Sequence, residues 1–495
     1  MKKQSMWLDV DKIDKCSSLK NNIKVDVLII GGGMTGLSTA YHLRNSNLKV
    51  CLVDQDLVGH GVSSKTTGKL TFLQELIYSK LFDEYSIEVA NKYLKSQKYS
   101  ISLVEQIIKD NNIKCDYKKV DSYIFADMIK DIDKVKKEKR ILESLGIKVE
   151  ELNEMDVPIK CYCAIKVGDT GVFHPLKYLN TLKKIIIKAG IDIYERTKII
   201  NIKKKDDGYT CFTKNNIIEA KKIVLACHYP FFLFPFFFPL KGYLERSYIS
   251  ASKSNEFKEI SAISVGDQTK SIRYHDSNDS SYFIYLNGSH NLNKKYNVKE
   301  NFEHLFKDLI KLNMKPDYIW SNYDIITNDY LPYIGYVDDN LLIGTGYNTW
   351  GMTNGSLAGK VISDIILEKD NEYISLFNPK RKMPFSNIVS ITNDIYSSAK
   401  PFIENKLVKN KKFYPKNVVF EKRNGKDVAI YKDSSNKEHI VYNKCPHLKC
   451  SLIFNEVEKT WDCPCHGSRF SIDGKCIQGP SSYDISYKMM KNDRK

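Results

Sequence analysis

Long apolar runs are what this 495-residue sequence most plainly lacks. The longest, FFLFPFFFPL over Phe231–Leu240, is about half of the roughly 20 residues a membrane-crossing helix needs, and Pro235 and Pro239 interrupt it. It reads as core or lid packing, as the lining of an apolar channel, or as a membrane or partner contact. Lys2 and Lys3 are not followed by an apolar core of the kind a secretory signal carries. Together these absences predict a cytoplasmic protein without a transmembrane segment, with contact at the inner face of the cell membrane left open as a peripheral one. Basic blocks are also missing. The formal net charge is +17, but pairs such as Lys183-Lys184 and Lys203-Lys204-Lys205 are scattered along the chain, as on solvated faces. No such block alternates with aromatic residues, so nucleic-acid binding is not expected. Cysteine is unevenly spread. Seven thiols (Cys16, Cys51, Cys115, Cys161, Cys163, Cys211, Cys227) are dispersed as in a reduced, buried set, while the other five cluster near the C-terminus.

What is present begins with KVDVLIIGGGMTGLSTAYHLRNSNLKVCLVD, residues 24–54. Val25–Ile30 is a β-branched run and predicts a buried strand. Gly31-Gly32-Gly33-Met34-Thr35-Gly36 fits G-x-G-x-x-G, Leu37, Ala40, Tyr41 and Leu43 follow at helical spacing, and Val50–Val53 predicts a second strand ending in Asp54. Gly31 permits the tight turn, Gly33 lets backbone approach a pyrophosphate, and Gly36 lets helix and strand pack closely. The helix N-terminus offers N–H groups to phosphates, with Met34 and Thr35 in its first turn, and Asp54 can accept from ribose hydroxyls. Strand, glycine turn, helix, second strand and terminal acid together predict dinucleotide binding. No second unit of this kind occurs. Gly344-Thr345-Gly346 runs on into Tyr-Asn-Thr without a third glycine, which argues against an additional NAD(P)H domain.

Further segments resemble the D-amino-acid oxidase/glycine oxidase-like (DAO) family of FAD-dependent oxidoreductases over roughly residues 24–370. GHGVSSKTTGKLT, with Thr66 and Thr67, is similar to that family's loop beside the cofactor. Gly171 to Lys204 resembles its helix–Gly–strand unit, and Ile218 to His228 its returning strand, although Ala226-Cys227-His228 departs from the usual Ala-Thr-Gly ending. Asp329 to Ile366 resembles the second FAD-contacting unit, with Gly346, Gly351, Met352 and Thr353 at a helix start whose N–H groups would face the flavin edge where negative charge develops. The resemblance implies a substrate domain inserted between the FAD-binding segments, covering the flavin with a mostly antiparallel sheet. The pattern predicts mainly helices over about 75–155 and short strands such as Ser281–Leu286 over about 235–320. Flavin amine oxidation needs orientation and desolvation more than a catalytic triad, and none is evident. Candidate substrate-orienting groups are Tyr243, Arg246 and Tyr248 in GYLERSY and Arg273 in SIRYHD, either arginine being able to clamp a carboxylate.

The C-terminal cluster lies among short strands such as Val428–Tyr431 and His439–Tyr442, a small all-β pattern. Cys445-Pro446-His447 and Cys463-Pro464-Cys465-His466 give C-x-H and C-x-x-H, with fifteen residues between His447 and Cys463. A mononuclear Cys2His2 zinc site is one reading of four such ligands. The pattern, with its trailing Gly467-Ser468 and the GKCIQGPSS loop, resembles the Rieske [2Fe–2S] motif, in which two thiolates hold one iron and two imidazoles the other. The resemblance implies Cys445, His447, Cys463 and His466 as metal ligands and Cys450–Cys465 as a disulfide joining the two cluster loops. Lys449 replaces the usual glycine before the second cysteine, and Phe470 stands where a potential-raising tyrosine is common; its loss would lower the potential, while a nearby lysine charge would raise it. Cys476 reads as a strand thiol.

The expected architecture is α/β, a Rossmann-like FAD-binding domain with an inserted α+β substrate domain, plus a small all-β Rieske domain. The FAD-dependent part spans 1–390, with FAD-binding parts near 24–75, 156–234 and 321–375 and substrate parts near 76–155 and 235–320. A lysine-bearing linker over 391–412 leads to the Rieske domain at 413–495. The expected function is a dehydrogenase that takes a hydride from a small amine or amino acid onto FAD and passes electrons through the cluster to an external protein or quinone. Electron flow from a donor through the cluster to the flavin for substrate reduction, and a non-catalytic redox sensor or electron carrier, are the alternatives.

Overall fold

The computed structural model describes residues 1–9, 14–230, 241–256, 258–277, 280–292, 298–382 and 417–487. The apolar run Phe231–Leu240, the linker expected at 391–412 and the last eight residues lie outside them.

The glycine-turn segment forms as expected. Strand Ile23–Ile30 is buried along its C-terminal half and enters helix Met34–Leu43, and strand Val50–Val53 is buried throughout. Both lie inside an eight-stranded sheet. Its main path runs Tyr333–Asp338, Leu341–Thr345, Ile217–Leu225, Ile23–Ile30, Val50–Val53 and Asp192–Tyr194, the last four connections being parallel. Parallel neighbours with helices on their faces must be apolar on both sides, which is why IVL, LII and VCLV read as continuous runs. The second FAD-like segment begins its helix at Gly351 and runs to Ile366, packed on the first helix. Gly359 makes that approach possible, because a Cβ there would sit 2.3 Å from the Ser38 Cβ.

The inserted sheet has nine strands, ordered Tyr318–Thr327, Gly242–Ser254, Ser280–Asn291, Ser271–Ser277, Ile260–Val265, Lys118–Ala126, Cys163–Val172 and Lys69–Leu70, with Glu150–Leu152 beside Cys163–Val172. The 75–155 region does supply helices Ile77–Glu84, Ile87–Asp110 and Ile132–Ser144. It also supplies strand Lys118–Ala126, which the mainly helical expectation passed over. KKVDSYIFA alternates with period two, and this strand pairs parallel with Ile260–Val265, so it is a sheet interior.

The C-terminal part consists of a three-stranded antiparallel sheet, Val418–Arg423, Lys426–Lys432 and Glu438–Tyr442, and a four-stranded one, Ile453–Asn455, Thr460–Asp462, Arg469–Ser471 and Cys476–Gln478. A single apolar cluster around Tyr431, Leu452, Phe454, Trp461 and Phe470 joins the two sheets. Cys476 is indeed on a strand.

Candidate functional site

The G-x-G-x-x-G turn opens onto a cavity. Gly31, at φ +110°, lies so close to the returning strand that a Cβ would fall 2.5 Å from the Ala226 carbonyl oxygen. Gly36 serves packing instead: a Cβ would approach the Gly31 carbonyl oxygen to 1.9 Å. Gly31, Gly33, Met34, Thr35, Asp54, Thr66, Thr67, Gly351 and Met352 all line the cavity. Asp54 accepts hydrogen bonds from the Gly32 N–H (2.7 Å) and the Asp56 N–H (2.8 Å), and burial nonetheless pushes its carboxyl up to about 6. A glycine-walled cradle at a helix N-terminus, with a buried acid at the end of the second strand, fits the adenosine and pyrophosphate of FAD. Three of the expected cofactor residues stand off the cavity wall: Gly36, Gly346 and Thr353. Gly346 sits in a turn at φ +74° against Thr327, and the Thr353 hydroxyl donates to the Thr71 carbonyl.

The substrate-orienting expectation needs correction. Along strand Gly242–Ser254, Glu245, Ser247 and Ile249 line the cavity, whereas Tyr243, Arg246 and Tyr248 do not. Alternation decides this for Arg246 and Tyr248, which sit on the face opposite Glu245 and Ser247, whereas Tyr243 shares the parity of Glu245 and Ser247 and is off the cavity wall all the same. Arg246 is fully buried and paired with Asp462 (2.9 Å) and Glu458 (2.5 Å) of the C-terminal part. Tyr248 packs on Phe302 and His290. Arg273 is also off the cavity. Its guanidinium donates to the carbonyls of Thr67, Gly68 and Phe173, clamping the loop that carries Thr66 and Thr67. Burial pulls its pKa down to about 9, as a cation without a carboxylate contact would require.

At the C-terminal end, the two cluster loops meet. The His447 and His466 rings lie 5.0 Å apart and nearly perpendicular, and the Cys445 thiol is in hydrogen-bond contact with Cys463 and Ser468. His447 Nδ1 and Nε2 and His466 Nδ1 are buried without a hydrogen-bond partner, and burial holds both imidazoles neutral, at about 4 and about 3. Two thiols and two neutral imidazoles with orphaned nitrogens are a donor set for a metal centre, not for a hydrogen-bond network. Cys450 and Cys465 form a disulfide beside them. Lys449 takes φ +62°, the left-handed conformation that explains a glycine preference there, and its side chain is exposed. Phe470 is wholly buried in the apolar cluster.

The two sites adjoin. The Tyr229 and His466 rings are 5.9 Å apart, and Tyr229 lines the same cavity as Gly31 and Asp54. The Gly-Pro loop contributes Ile477–Ser482 to that cavity, tied down by Lys65 Nζ on Gln478 Oε1 (3.2 Å) and Lys198 Nζ on the Ser481 carbonyl (3.1 Å). Gly467, at φ +70°, lets the second cluster loop reach Leu244; a Cβ there would be 2.8 Å from its Cδ1. Sequence reasoning named the segments that carry His60, Lys69, His228 and the Gly-Pro loop but not these side chains' place on the cavity wall. It missed Tyr229, Glu75, Glu245 and Asp324 altogether; Glu245 and Asp324 come from strands with no motif.

Known proteins share both halves. The family described as FAD dependent oxidoreductase (DAO) matches residues 26–365, and the Rieske [2Fe-2S] domain matches 404–487. A Bacillus subtilis (strain 168) protein, YhfW, named as a Rieske 2Fe-2S iron-sulfur protein, is 29% identical over 97% of this chain and 96% of its own. Gamma-glutamylputrescine oxidoreductase of Escherichia coli (strain K12) is 23% identical over 74% of this chain and 89% of its own length. Glycine oxidase from Geobacillus kaustophilus superposes with a TM-score of 0.60 at 18% identity, over 73% of this chain and 99% of that one. Among the described residues, no helix is long and apolar enough to cross a membrane.

Proposed function

Because the chain belongs to the FAD dependent oxidoreductase family and carries a Rieske [2Fe-2S] domain, we propose that it is a dehydrogenase of small amines or amino acids that discharges electrons through the cluster. The observation that carries this reading is the 5.9 Å approach of His466 to Tyr229 on the wall of the cofactor cavity. Tunnelling falls steeply with distance, so an imidazole ligand one ring from the flavin cavity suits electron exchange. Bound FAD supplies two-electron acceptance from a C–H bond beside nitrogen, and the [2Fe–2S] cluster supplies one-electron transfer. In the reaction that bond breaks, its electron pair leaves as hydride, and the substrate becomes an iminium ion.

The chain's own residues hold and shield these groups. Gly31, Gly33, Met34, Thr35 and Asp54 would hold the dinucleotide, and Gly351 and Met352 the flavin end. Cys445, His447, Cys463 and His466 would hold the cluster. Tyr229 and the Ile477–Ser482 loop form the cavity wall on the Rieske side. Amine-type substrates are supported by the names of two relatives, a glycine oxidase and a gamma-glutamylputrescine oxidoreductase. The acceptor is a protein or quinone outside the chain. The seven unpaired cysteines, Cys16 to Cys227, support a cytoplasmic site of action.

Anaerobic stopped-flow with an amine and amino-acid panel tests this. Flavin bleaching followed by cluster reduction is expected with at least one member. Flavin that no member bleaches, while an external reductant reduces the cluster first and then the flavin, would favour the reverse direction.

A further inference from the structure

One wall of the cavity has an unusual charge balance. Glu245 and Asp324 are cross-strand partners on adjoining strands, and both line the cavity. Like charges directly opposite each other on a sheet are destabilising. Yet among the described residues neither carboxylate has a Lys, Arg or His within ion-pair distance. Asn322 lies on the same wall, 4% exposed, and donates through Nδ2 to Asp324 (3.2 Å). That bond fixes its amide orientation, leaving Oδ1 buried without a donor. A third acid, Glu75, also lines the cavity; Lys80 is its nearest cation, at 3.9 Å.

The lysines of the cavity wall, Lys65, Lys69 and Lys198, are engaged elsewhere, and burial pulls the His60 and His228 imidazoles toward the neutral form. Lys69 donates to the Ala262 carbonyl and Ser271 Oγ, and Lys65 to Gln478. Arg246 and Arg273 are off the cavity, and among the described residues no arginine lines it to clamp an α-carboxylate. What remains is a group of acceptors, two carboxylates and an amide oxygen, with the Ser289 hydroxyl against Glu245 but, among the described residues, no cation within ion-pair distance of either carboxylate. Burial of such groups is costly unless a cation pairs with them.

We propose that Glu245, Asp324 and Asn322 bind an ammonium group of the substrate, and that the substrate is an alkyl diamine. This rests on the amine-dehydrogenase reading above and narrows it. Hydride loss needs a lone pair on the reacting nitrogen, so that nitrogen must be unprotonated. The ammonium that the acidic wall holds is therefore a second nitrogen further along the chain. Burial pushes both carboxyls up to about 7, which a bound cation would reverse.

The test titrates the FAD- and cluster-loaded full chain with 1,4-diaminobutane, 4-aminobutyrate and glycine, following the flavin difference spectrum anaerobically. The diamine is expected to bind at least about tenfold more tightly than either amino acid, a difference of about 1.4 kcal/mol. Glu245→Gln and Asp324→Asn should each weaken the diamine about tenfold and leave the cluster spectrum unchanged. Tighter binding of either amino acid, or no binding of the diamine, overturns the proposal. So does unaltered diamine affinity in both variants. The wild-type panel decides the matter even where a variant fails to fold. The two readings separate cleanly. Diamine binding without flavin bleaching would sink the dehydrogenase and keep the ammonium site, and bleaching by amino acids alone would do the reverse.

Discussion

At the scale of single residues, buried carboxylates dominate the pH behaviour. Glu138 is wholly buried and accepts from the Tyr78 N–H (3.0 Å), the Ser79 N–H (2.7 Å) and the Ser79 hydroxyl. Burial outweighs those bonds and pushes its pKa up to about 7, against about 4.3 in an unfolded chain. The sign follows from proton counting. Between about pH 4.3 and 7 the folded state holds the proton and the unfolded state does not, so stability falls as pH rises, by up to about 1.4 kcal/mol per unit. Above pH 7 both states are ionised and the slope vanishes. Denaturant midpoints measured from pH 5 to 8 should therefore decline up to pH 7, and Glu138→Gln should make that decline shallower, leaving the part that Glu245, Asp324 and Asp54 carry. An equal slope in the variant would show that other groups carry it. Glycine positions act at the same scale through space rather than charge. Gly31→Ala places a methyl 2.5 Å from the Ala226 carbonyl oxygen, so the purified variant should retain little FAD, read from the flavin-to-protein absorbance ratio.

At the scale of elements, what the sequence disclosed followed motif density. The strand–turn–helix at 23–43, the helix start at Gly351 and the two cluster loops each carry several constrained residues at fixed spacing, and each lies where that spacing implies. Strand Gly242–Ser254 carries no such constraint. Its residue types suggested a substrate clamp, but which face Arg246 takes depends on register with Tyr318–Thr327 and Ser280–Asn291, a long-range property that local sequence does not encode. The alternation turns one strand into a divider, with Glu245, Ser247 and Ile249 toward the cavity and Leu244 and Arg246 toward the Rieske domain. Arg246 joins Arg469, Glu458 and Asp462 in a buried network. Burial alone would raise the Asp462 carboxyl, but Arg469 and Arg246 outweigh it and bring it down to about 2. Removing one partner strands buried charge, at about 3–5 kcal/mol, with Arg469 still present to keep the cost near the lower end. Arg246→Met should thus lower the unfolding midpoint and slow cluster reduction by flavin. Amine-driven flavin bleaching should stay within a few-fold of wild type. A variant that loses amine reduction while keeping fast cluster reduction would return Arg246 to the substrate site.

At the scale of the whole molecule, the separation between motifs some four hundred residues apart in sequence is closed by packing. Gly467 meets Leu244, the Gly-Pro loop enters the cofactor cavity, and the Arg246 network lies between the sheet and the Rieske domain. A cluster held this way differs from one that swings on a tether to find its partner. The ion pairs that fix it are buried, where salt screens weakly, whereas encounters between exposed charged surfaces weaken once the Debye length shrinks below about 10 Å. The flavin-to-cluster step should accordingly be first order, with a rate independent of protein concentration, and should change less than about twofold between 0.05 and 0.5 M salt. On the proposed reading, reoxidation of the cluster by an external acceptor is bimolecular, and with a charged protein acceptor the +17 net charge gives its rate a salt dependence that the internal step lacks. Double-mixing stopped-flow resolves the two steps in one experiment. A flavin-to-cluster rate that falls severalfold with salt, or rises with protein concentration, would mean that the cluster meets flavin by encounter, within or between molecules, and that the Tyr229–His466 contact is not the route electrons take.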